Sequence, residues 1–591
     1  MYKSILTLIL LIFSSVFLAA DEVRTLVITP SGYETQINKV GGSVTVISSE
    51  EIANSGYQTV SEILNTVPGI HSVSTGFGGT VSLFSRGHDS DMTKIMLDGV
   101  DLNDPSAFGT TAVLSTLMLN NINRIEIVRG PQSLISGADA MGGVINIITN
   151  KSIAENSVSA STGSNNTHSA TVKIGTKQNE YNINLNISEF QTKGINVRTV
   201  GNDDNDGFDQ TSMSLSVNRD FNGVGVKFNY KNQAGRVEYD ESTSQARPIF
   251  ADNDYIFLNT GIDYKYSPNT LLSIEYNKSD FDRRDNGQWG NTNYFSKVEM
   301  LKGKSKIIHD GNIVLVGIET KSEEYLGTYA PPNKNSVSEQ SFIIQNEFNN
   351  NNNTSILAGV RVDNHEAYGN YTTFKASLNQ PLDDFPGLIV KASIGTGFRA
   401  PTLGELYGQF NANQSLQPEE SLGYEFGFIN YLSSKLDFGS TYFKSEIEDA
   451  ITYGSPMYYN ASGTSEREGV ETYVNIYPFD NFSLKINHTH LTTDEKVYVR
   501  RPNNKLSSSL NYKFDDQMDI FGSLIAVEDH YDVGSVKIDS FQVLDAGINY
   551  TPDKSTNLKF KINNLTNERY EQISGYPGLP RQIFLEMFKS F

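Results

Sequence analysis

After about residue 150, apolar and polar residues alternate one by one along most of the chain. The clearest stretch runs from Tyr181 to Ser188, where Tyr, Ile, Leu and Ile alternate with Asn, Asn, Asn and Ser. The pattern recurs at 224–230, 544–550 and 558–562. A period of two places apolar side chains on one face of a strand and polar ones on the other. This region is therefore predicted to form amphipathic β-strands.

Residues 21–150 have a different pattern, typical of a small mixed α/β domain. Strand candidates lie at 44–47, 95–97, 124–128 and 143–149. Ser49 and Thr59 each stand at the start of a short helical pattern, where a hydroxyl can accept from unpaired backbone N–H groups. These two residues are predicted to cap two helices.

The first twenty residues form a separate segment. Lys3 is followed by nearly continuous apolar sequence from Ile5 to Leu18, and Ala19-Ala20 precedes two acidic residues. This pattern indicates a secretory signal peptide over 1–20. A membrane anchor is the alternative, but the apolar run is shorter than the ~18–20 residues that a spanning helix needs. No later segment approaches such a helix, so membrane residence would require a closed barrel.

The strand count can be checked against length. Residues 151–591 number 591 − 150 = 441, which gives about 20 residues per strand and connection in a plugged barrel of about 22 strands. A spanning strand takes ~9–11 of them, and the remainder forms a turn or loop. A soluble β-sandwich would show the same alternation, but export and the strand count favour a transmembrane antiparallel β-barrel.

Composition narrows the functional classes. The chain has 47 basic and 68 acidic residues, a net charge of −21, which argues against nucleic-acid binding. It has no cysteine, which excludes disulfides, thiolate metal sites and a cysteine nucleophile. We also find no nucleophile elbow and no His-Glu-x-x-His motif. The protein is therefore not expected to be an enzyme, and no cofactor is required.

Four spaced blocks carry the most specific sequence, at 63–70, 85–87, 95–100 and 124–148. In order and spacing they resemble the plug domain of TonB-dependent outer-membrane receptors. The resemblance implies a barrel of about 22 strands around an N-terminal α/β plug, present as a monomer in the outer membrane of a Gram-negative cell. It also implies this division: 1–20 signal peptide, 21–35 Ton box and N-terminal extension, 36–150 plug, 151–591 barrel.

Three charged plug residues are expected to form ion pairs, because a charge inside a barrel is costly when it is unpaired. They are Arg86, Glu126 and Arg129. Their partners could lie on the barrel wall or within the plug, and the sequence leaves both alternatives open.

Near the start of the mature chain, a short β-prone segment looks like the family's Ton box, through which the TonB energy-transducing protein acts. Binding would require the segment to add a strand to the edge of a partner's sheet. The predicted TonB-binding residues are Thr25, Leu26, Val27, Ile28 and Thr29.

Two stretches, 395–419 and 459–471, bear on the identity of the substrate. They are similar to cobalamin receptors and also to haem receptors. Haem receptors usually place a histidine in the first stretch, and residues 399–419 contain none. Active uptake of cobalamin or a related corrinoid is the leading hypothesis, with a ferric-siderophore receptor as the alternative. A passive porin or adhesin is the alternative from a different class.

Acidic residues on two loops are similar to the positions at which the cobalamin receptor holds calcium. Alternating oxygen donors before a glycine suit that ion, and a solvated acidic loop is the other interpretation. The tentative ligands are Asp204, Asp206, Asp240 and Asp252.

Further substrate contacts are expected from a plug histidine and from loop aromatic residues suited to stacking on a flat organic ligand. They are His88, Trp289, Tyr458 and Tyr459. The final segment alternates and ends at Phe591, which resembles the signal that the barrel assembly machinery reads. Outer-membrane lipid would contact the apolar face.

Overall fold

The computed structural model describes residues 25–107, 111–151, 155–178, 180–199, 203–240, 249–288, 290–332, 334–350, 353–493 and 497–591. The predicted signal peptide, 1–20, lies outside these residues, and so does Trp289. Within the described part, no helix has both the length and the apolar character needed to cross a membrane.

The N-terminal domain is mixed α/β. Its helices are α1 (Ser49–Ala53), α2 (Val60–Leu64) and α3 (Ser133–Ser136), with 3₁₀ turns at Ile37–Lys39 and Ser90–Met92. Its strands are β1 (Leu26–Val27), β2 (Thr35–Gln36), β3 (Val44–Ser48), β4 (Ile70–Ser74), β5 (Val81–Ser85), β6 (Thr93–Leu97), β7 (Val100–Asp101), β8 (Asn103–Asp104), β9 (Thr111–Ala112), β10 (Ile122–Arg129) and β11 (Gly143–Thr149).

Five of these strands form a central sheet in the order β3-β10-β11-β6-β7, with β11 and β6 parallel. Thr59 caps α2, and its side chain and that of Glu62 form a reciprocal capping box, so this prediction is confirmed. The cap predicted at Ser49 is wrong by one residue. Ser48 caps α1, because it stands three residues before Glu51 and can form the same box.

The remainder of the chain builds a closed barrel of 22 strands. They are β12 (Ser157–Gly163), β13 (Thr167–Gln178), β14 (Tyr181–Ile195), β15 (Asp206–Phe221), β16 (Val224–Glu238), β17 (Phe250–Ser267), β18 (Thr270–Gly287), β19 (Gly290–His309), β20 (Asn312–Gly327), β21 (Ser336–Asn349), β22 (Ser355–His365), β23 (Gly369–Pro381), β24 (Leu388–Arg399), β25 (Glu419–Ser433), β26 (Leu436–Glu448), β29 (Ser465–Ile476), β30 (Phe482–Thr492), β31 (Asn504–Lys513), β32 (Met518–Val527), β35 (Phe541–Asp553), β36 (Thr556–Asn563) and β39 (Gln582–Ser590).

Neighbouring barrel strands are antiparallel, and β12 pairs with β39 to close the ring. The loops carry helix α4 (Leu403–Tyr407), a 3₁₀ turn at Ser164–Asn166 and three hairpins. The hairpin strands are β27 (Ile451–Gly454) with β28 (Met457–Asn460), β33 (His530–Asp532) with β34 (Val536–Ile538), and β37 (Glu571–Ile573) with β38 (Tyr576–Pro577).

The alternation seen in the sequence separates the two faces of the barrel. In β21, every second residue is exposed on the outer surface, including Phe342, Ile344 and Phe348. The residues between them, such as Ser341 and Gln345, are buried facing the lumen. An apolar outside with a polar inside is the arrangement of a barrel in lipid.

The two ends of the barrel differ in their connections. Short turns at 221–224, 267–270 and 309–312 lie at one end, and longer loops such as 399–419 and 448–465 lie at the other. Outer-membrane barrels have short periplasmic turns and longer extracellular loops. By that rule the ends are named periplasmic and extracellular below.

The N-terminal domain fills the lumen and is called the plug (residues 25–149). Its apolar core includes Ile63, Leu64 and Ile125 and continues onto wall residues Phe257 and Phe281. The plug therefore packs part of its own core against the barrel, and smaller apolar clusters and polar contacts make up the rest of their interface.

Candidate functional site

The predicted TonB-binding segment, 25–29, is docked on the plug. Leu26 and Val27 form β1, which pairs antiparallel with β2. The Val27 side chain is fully buried, whereas Leu26 is exposed. Strand addition to a partner's sheet needs free backbone N–H and C=O groups. Pairing with β2 therefore occupies one edge of the segment.

Glu126 holds this segment. Its Oε2 accepts hydrogen bonds from the backbone N–H groups of Ile28 at 3.0 Å and Thr29 at 2.9 Å, and from the Thr29 hydroxyl at 2.6 Å. Its Oε1 lies 2.8 Å from the Arg124 guanidinium. Glu126 thus pairs inside the plug, the second of the two alternatives that the sequence left open.

Arg86 and Arg129 follow the first alternative and reach the barrel wall. Arg86 lies 2.8 Å from Glu425 on β25 and 2.8 Å from Glu471 on β29. Arg129 lies 3.0 Å from the other oxygen of Glu471. Burial acts to lower the pKa of the Arg86 guanidinium, but Glu471 and Glu425 outweigh that effect and raise it. Arg86 therefore stays charged in a site closed to water.

Gly69 allows this close approach. It has φ +75°, and a Cβ there would stand 2.0 Å from a Glu471 carboxylate oxygen. Its carbonyl accepts from the Arg86 backbone N–H at 2.6 Å. Any other residue would separate the plug from Glu471, which gives a physical reason for the Pro-Gly at the end of α2.

A second stretch of the wall contacts the plug differently. We call it the donor wall, formed by β30, β31, β35 and β36, because its side chains donate hydrogen bonds to plug oxygens. It also carries one ion pair, between Lys485 of β30 and Glu51 of α1. Asn487 and Ser507 donate to the Thr66 carbonyl at 2.9 and 2.7 Å. Lys561 and Asn563 donate to the Gly56 carbonyl at 3.1 and 3.0 Å.

His88 is buried between the plug and the wall rather than presented at the plug apex. It is 1% exposed. Its Nδ1 lies 3.0 Å from the Ser85 carbonyl, and its Nε2 lies 3.1 Å from the Ser445 hydroxyl. Burial and the nearby Arg467 lower its pKa to about 3. Both ring nitrogens are engaged in packing the plug, and a substrate contact of His88 stays a prediction.

At the extracellular end, Arg399 gathers three carboxylates. It lies 3.0 Å from Glu419, 3.2 Å from Glu405 on α4, and 3.5 Å from Asp91 of the plug. Burial raises the pKa of Asp91 to about 8, against the attraction of Arg399 and with the repulsion of Glu419. One arginine therefore faces three carboxyl groups, of which Asp91 holds its proton near neutral pH.

The sequence alone assigns no role to this cluster around Arg399. Arg399 and Glu419 both stand in the stretch 395–419 that carries the receptor resemblance, so their spacing was the available signal. The structure places them on adjoining ends of β24 and β25, with their register pair directly opposed. Together with β25, β26 and β29, β24 forms the stretch we call the charged wall.

The loop aromatics form two groups. Tyr458 contacts Tyr453 across the β27–β28 hairpin, with ring centroids 5.5 Å apart, and Tyr459 points away and is exposed. Elsewhere Tyr329 lies between Tyr294 and Phe410, with centroids 6.4 and 5.9 Å away. These rings at the extracellular end are placed to stack on an organic ligand.

Three of the four predicted calcium ligands come together. Carboxylate oxygens of Asp204, Asp206 and Asp240 lie within 4.8 Å of one another. The fourth, Asp252, is not part of this group and forms an ion pair with Arg236 at 2.7 Å. The sequence could not show that Arg236 stands opposite Asp252 on the neighbouring strand.

The chemistry of these three aspartates suits a hard divalent cation. β15 is 16 residues long, more than the ~9–11 that cross a bilayer, so its first residue, Asp206, projects outside the membrane. Burial, with repulsion from Asp240 and Asp204, raises the pKa of Asp206 to about 6. A cation would relieve this repulsion, and oxygen donors are the ligands that calcium prefers.

Comparison with known proteins follows the same two-part division. Residues 36–144 match the family model of the TonB-dependent receptor plug domain. Residues 150–565 match the model of the TonB-dependent receptor-like β-barrel.

The names of the relatives and of the solved structures mention different solutes. The chain is 25% identical to the vitamin B12 transporter BtuB of Vibrio cholerae, over 97% of both chains, and 26% identical to that of Vibrio vulnificus, over 94% and 93%. In fold it is similar to the ferric enterobactin receptor PfeA of Pseudomonas aeruginosa, with a TM-score of 0.80, 16% identity and coverage of 96% and 100%. The ferric-catecholate import receptor Fiu of E. coli gives a TM-score of 0.79 at 15% identity, with coverage of 97% and 99%.

Proposed function

The chain belongs to the family of TonB-dependent receptors, and on that premise we propose that it carries a corrinoid such as cobalamin across the outer membrane. The coarser function, TonB-dependent transport in the outer membrane, is that of the family. The finer one, the solute, rests on the loops and on the likeness to vitamin B12 transporters along nearly the whole chain.

The docked segment 25–29 carries the mechanism. Binding energy released at the loops cannot by itself accumulate a solute, so an energised partner is required. TonB would bind the released segment by strand addition. Because Glu126 ties Thr29 to β10 in the plug's central sheet, a pull on the segment would act directly on that sheet.

Deleting residues 25–29 tests the energised step. We expect uptake of labelled solute by cells to stop, while solute binding to the purified receptor keeps its affinity, because the loops at the other end are untouched. Binding is thus the internal control for folding. Uptake that persists unchanged in the deletion variant would contradict energised transport.

Calcium is proposed to order the loops that contact the corrinoid. Asp204 and Asp206 lie at the end of loop 195–206, and Asp240 begins loop 238–250. An ion held by all three would join the two loops. Calcium carries no reaction step here; it would supply positive charge between carboxylates that otherwise repel one another.

Equilibrium binding of cyanocobalamin, with calcium and with a chelator, tests solute and ion together. We expect chelation and Asp206→Asn to weaken binding to a similar degree. Asp252→Asn is the matched control, an aspartate nearby that is paired with Arg236, and it should bind as the native chain does. If cyanocobalamin binds equally well with calcium and with the chelator, the proposed role of calcium is contradicted.

A ferric siderophore is the second candidate, supported by the aromatic group Tyr294, Tyr329 and Phe410. The printed names of the structural neighbours concern ferric siderophores, although their identity to this chain is low. Absence of cyanocobalamin binding at micromolar ligand would favour this candidate. Haem has less support, because residues 399–419 offer no histidine.

Other functional classes have less support than energised transport. A passive porin or adhesin is disfavoured by a plug whose residues occupy the lumen and pair with its wall. The family consists of transporters and receptors, and we propose no catalytic activity. We also propose recognition of the last strand, through Phe591, by the barrel assembly machinery, and a monomeric state in lipid.

A further inference from the structure

Two histidines lie two residues apart on the outer surface of the barrel, on β30. The residues beside them on this strand, Asn487 and Thr489, form hydrogen bonds with the plug. Because successive side chains of a strand point to opposite faces, His488 and His490 point away from the lumen. Both side chains are exposed. Neither histidine is therefore used to hold the plug.

The pair lies at the extracellular boundary of the membrane. β30 begins at Phe482, after the periplasmic turn 476–482, so His490 is its ninth residue, 490 − 482 + 1. A strand needs about 9–11 residues to span the bilayer. The outward residues below the pair, Leu484 and Ile486, are apolar. The histidines thus stand where the apolar outer face ends, at a level that barrels usually fill with aromatic residues.

A polar network on the next strands orients the pair. Asn504 on β31 stands opposite His490 in register, and its Oδ1 lies 2.9 Å from the His490 Nδ1. The Asn504 Nδ2 donates to the Glu528 carboxylate at 2.5 Å. An ionised carboxylate only accepts, which fixes the orientation of the amide and makes its oxygen the acceptor for the His490 Nδ1–H. The same amide also bonds to His488, so both rings converge on one group.

Each imidazole keeps one nitrogen for a further partner. A neutral imidazole has one N–H and one lone pair. Because His490 donates its Nδ1–H to Asn504, its lone pair is on Nε2, directed away from the amide. His488 bonds to the same amide and likewise has a second nitrogen outside that bond. Two nitrogen donors therefore stand side by side on one exposed face.

We propose that His488 and His490 chelate one divalent transition-metal ion of the class that takes imidazole, such as Cu²⁺, Ni²⁺ or Zn²⁺. Residues two apart on a strand have Cα atoms about 6.4–6.8 Å apart. Two metal–nitrogen bonds of about 2.0–2.1 Å at a tetrahedral angle place the nitrogens about 3.3 Å apart, a separation that two exposed rings reach by leaning together. The Asn504 oxygen is the kind of acceptor that usually orients a metal-bound histidine, and Glu528 adds negative charge beside the ion.

The site differs from the aspartate cluster in both ligands and place. Asp204, Asp206 and Asp240 offer only oxygen, whereas the histidine pair offers nitrogen and lies on the outer face of a barrel strand. An ion held there stands outside the lumen, with its remaining coordination positions open to water. The inference is independent of which solute the receptor carries.

The test uses the full-length receptor without a histidine tag, in detergent, titrated with Cu²⁺ alone and observed by electron paramagnetic resonance. We expect one tightly bound equivalent with a hyperfine pattern from two nitrogens. His488→Gln and His490→Gln should each leave one nitrogen and raise the Kd at least about tenfold, because the second ligand binds intramolecularly. His168→Gln is the matched control, since His168 is exposed on β13 and has no histidine two residues away, and it should bind as the native chain does.

Three results would overturn the proposal: a one-nitrogen pattern in the native chain, a native titration indistinguishable from that of the His488/His490 double variant, or a two-nitrogen pattern lost in His168→Gln. All the substituted side chains are exposed, so the variants are expected to fold. Thermal melts of the metal-free proteins, followed by circular dichroism, establish that they do. If one single variant melts lower, the other decides alone, since each removes one of the two nitrogens.

Discussion

The charged wall and the donor wall hold the same plug by different chemistry. On the charged wall, Glu471 alone accepts from two buried arginines, Arg86 and Arg129. On the neighbouring strand β30, Asn487 donates one hydrogen bond to a backbone carbonyl. The first contact depends on two particular plug side chains, whereas the second would form with any residue at that plug position.

The difference indicates which side of the plug can move. Breaking a buried ion pair leaves an uncompensated charge, whereas a lost bond to a carbonyl can be replaced by water. A cavity also lies between the plug and the donor wall, lined by residues of β35 and β36. We therefore expect the plug to remain attached at Glu425 and Glu471 and to separate first from β30 to β36.

The largest effect should come from Glu471→Ala. Removing the carboxylate leaves Arg86 and Arg129 buried, with only Glu425 among the described carboxylates still paired with Arg86, and breaking such a buried pair costs about 3–5 kcal/mol. Hydrogen exchange of plug amides near Arg86, measured in the intact receptor, should rise accordingly. Exchange that stays at the native rate would remove the distinction between the two walls.

The next effect should come from Glu126→Gln, which extends the comparison to the TonB-binding segment. The amide accepts less strongly than the carboxylate from Ile28 and Thr29, and hydrogen bonds to a charged group contribute about 1.5–3 kcal/mol. A spin label at Leu26 should become more mobile. The matched control is Glu34→Gln, a neighbouring glutamate outside these contacts, with which the label should keep its native mobility.

The charged wall should also respond to pH. The Asp91 pKa is raised to about 8, so the folded state holds a proton that the unfolded chain releases near pH 4. This contribution to stability is full below about pH 4 and is lost as pH rises toward 8. The free energy of unfolding should therefore fall over that range by at least about 1.4 kcal/mol, and the melting temperature should fall with it. In Asp91→Asn this dependence on pH should be weaker. An unchanged slope in that variant would contradict the assignment.

The smallest effect should come from Asn487→Ala on the donor wall. It removes one neutral hydrogen bond, worth about 0.5–1.5 kcal/mol, and Ser507 still donates to the same Thr66 carbonyl. Hydrogen exchange at residues 60–66 should change little. A cost equal to that of Glu471→Ala would mean that both walls hold the plug with similar strength.

The barrel and the plug could be predicted because their signals are local. Alternation fixes which face of a strand is apolar, as in β14 and β21, and the plug motifs have fixed spacing. The substrate-binding details could not be predicted in this way. His88 was expected to contact a ligand, but in the structure it contacts Ser445, which is 357 residues away in sequence. No spacing rule shows which wall residue faces a given plug residue.

The same limit explains the other differences. Asp252 has the residue type of a calcium ligand, yet the register of β16 and β17 places Arg236 opposite it. Glu126 forms an ion pair with Arg124 and accepts hydrogen bonds from the docked segment.

The connection between plug and barrel has a consequence for each transport cycle. Strand β11 ends at Thr149 and β12 begins at Ser157, so seven residues, 150–156, join them. Fully extended, such a tether reaches about 25 Å. A plug that swings out of the lumen therefore stays at the mouth of its own barrel at a high effective concentration. Re-entry is then an intramolecular reaction, and the open interval is set by how long the pull lasts rather than by diffusion.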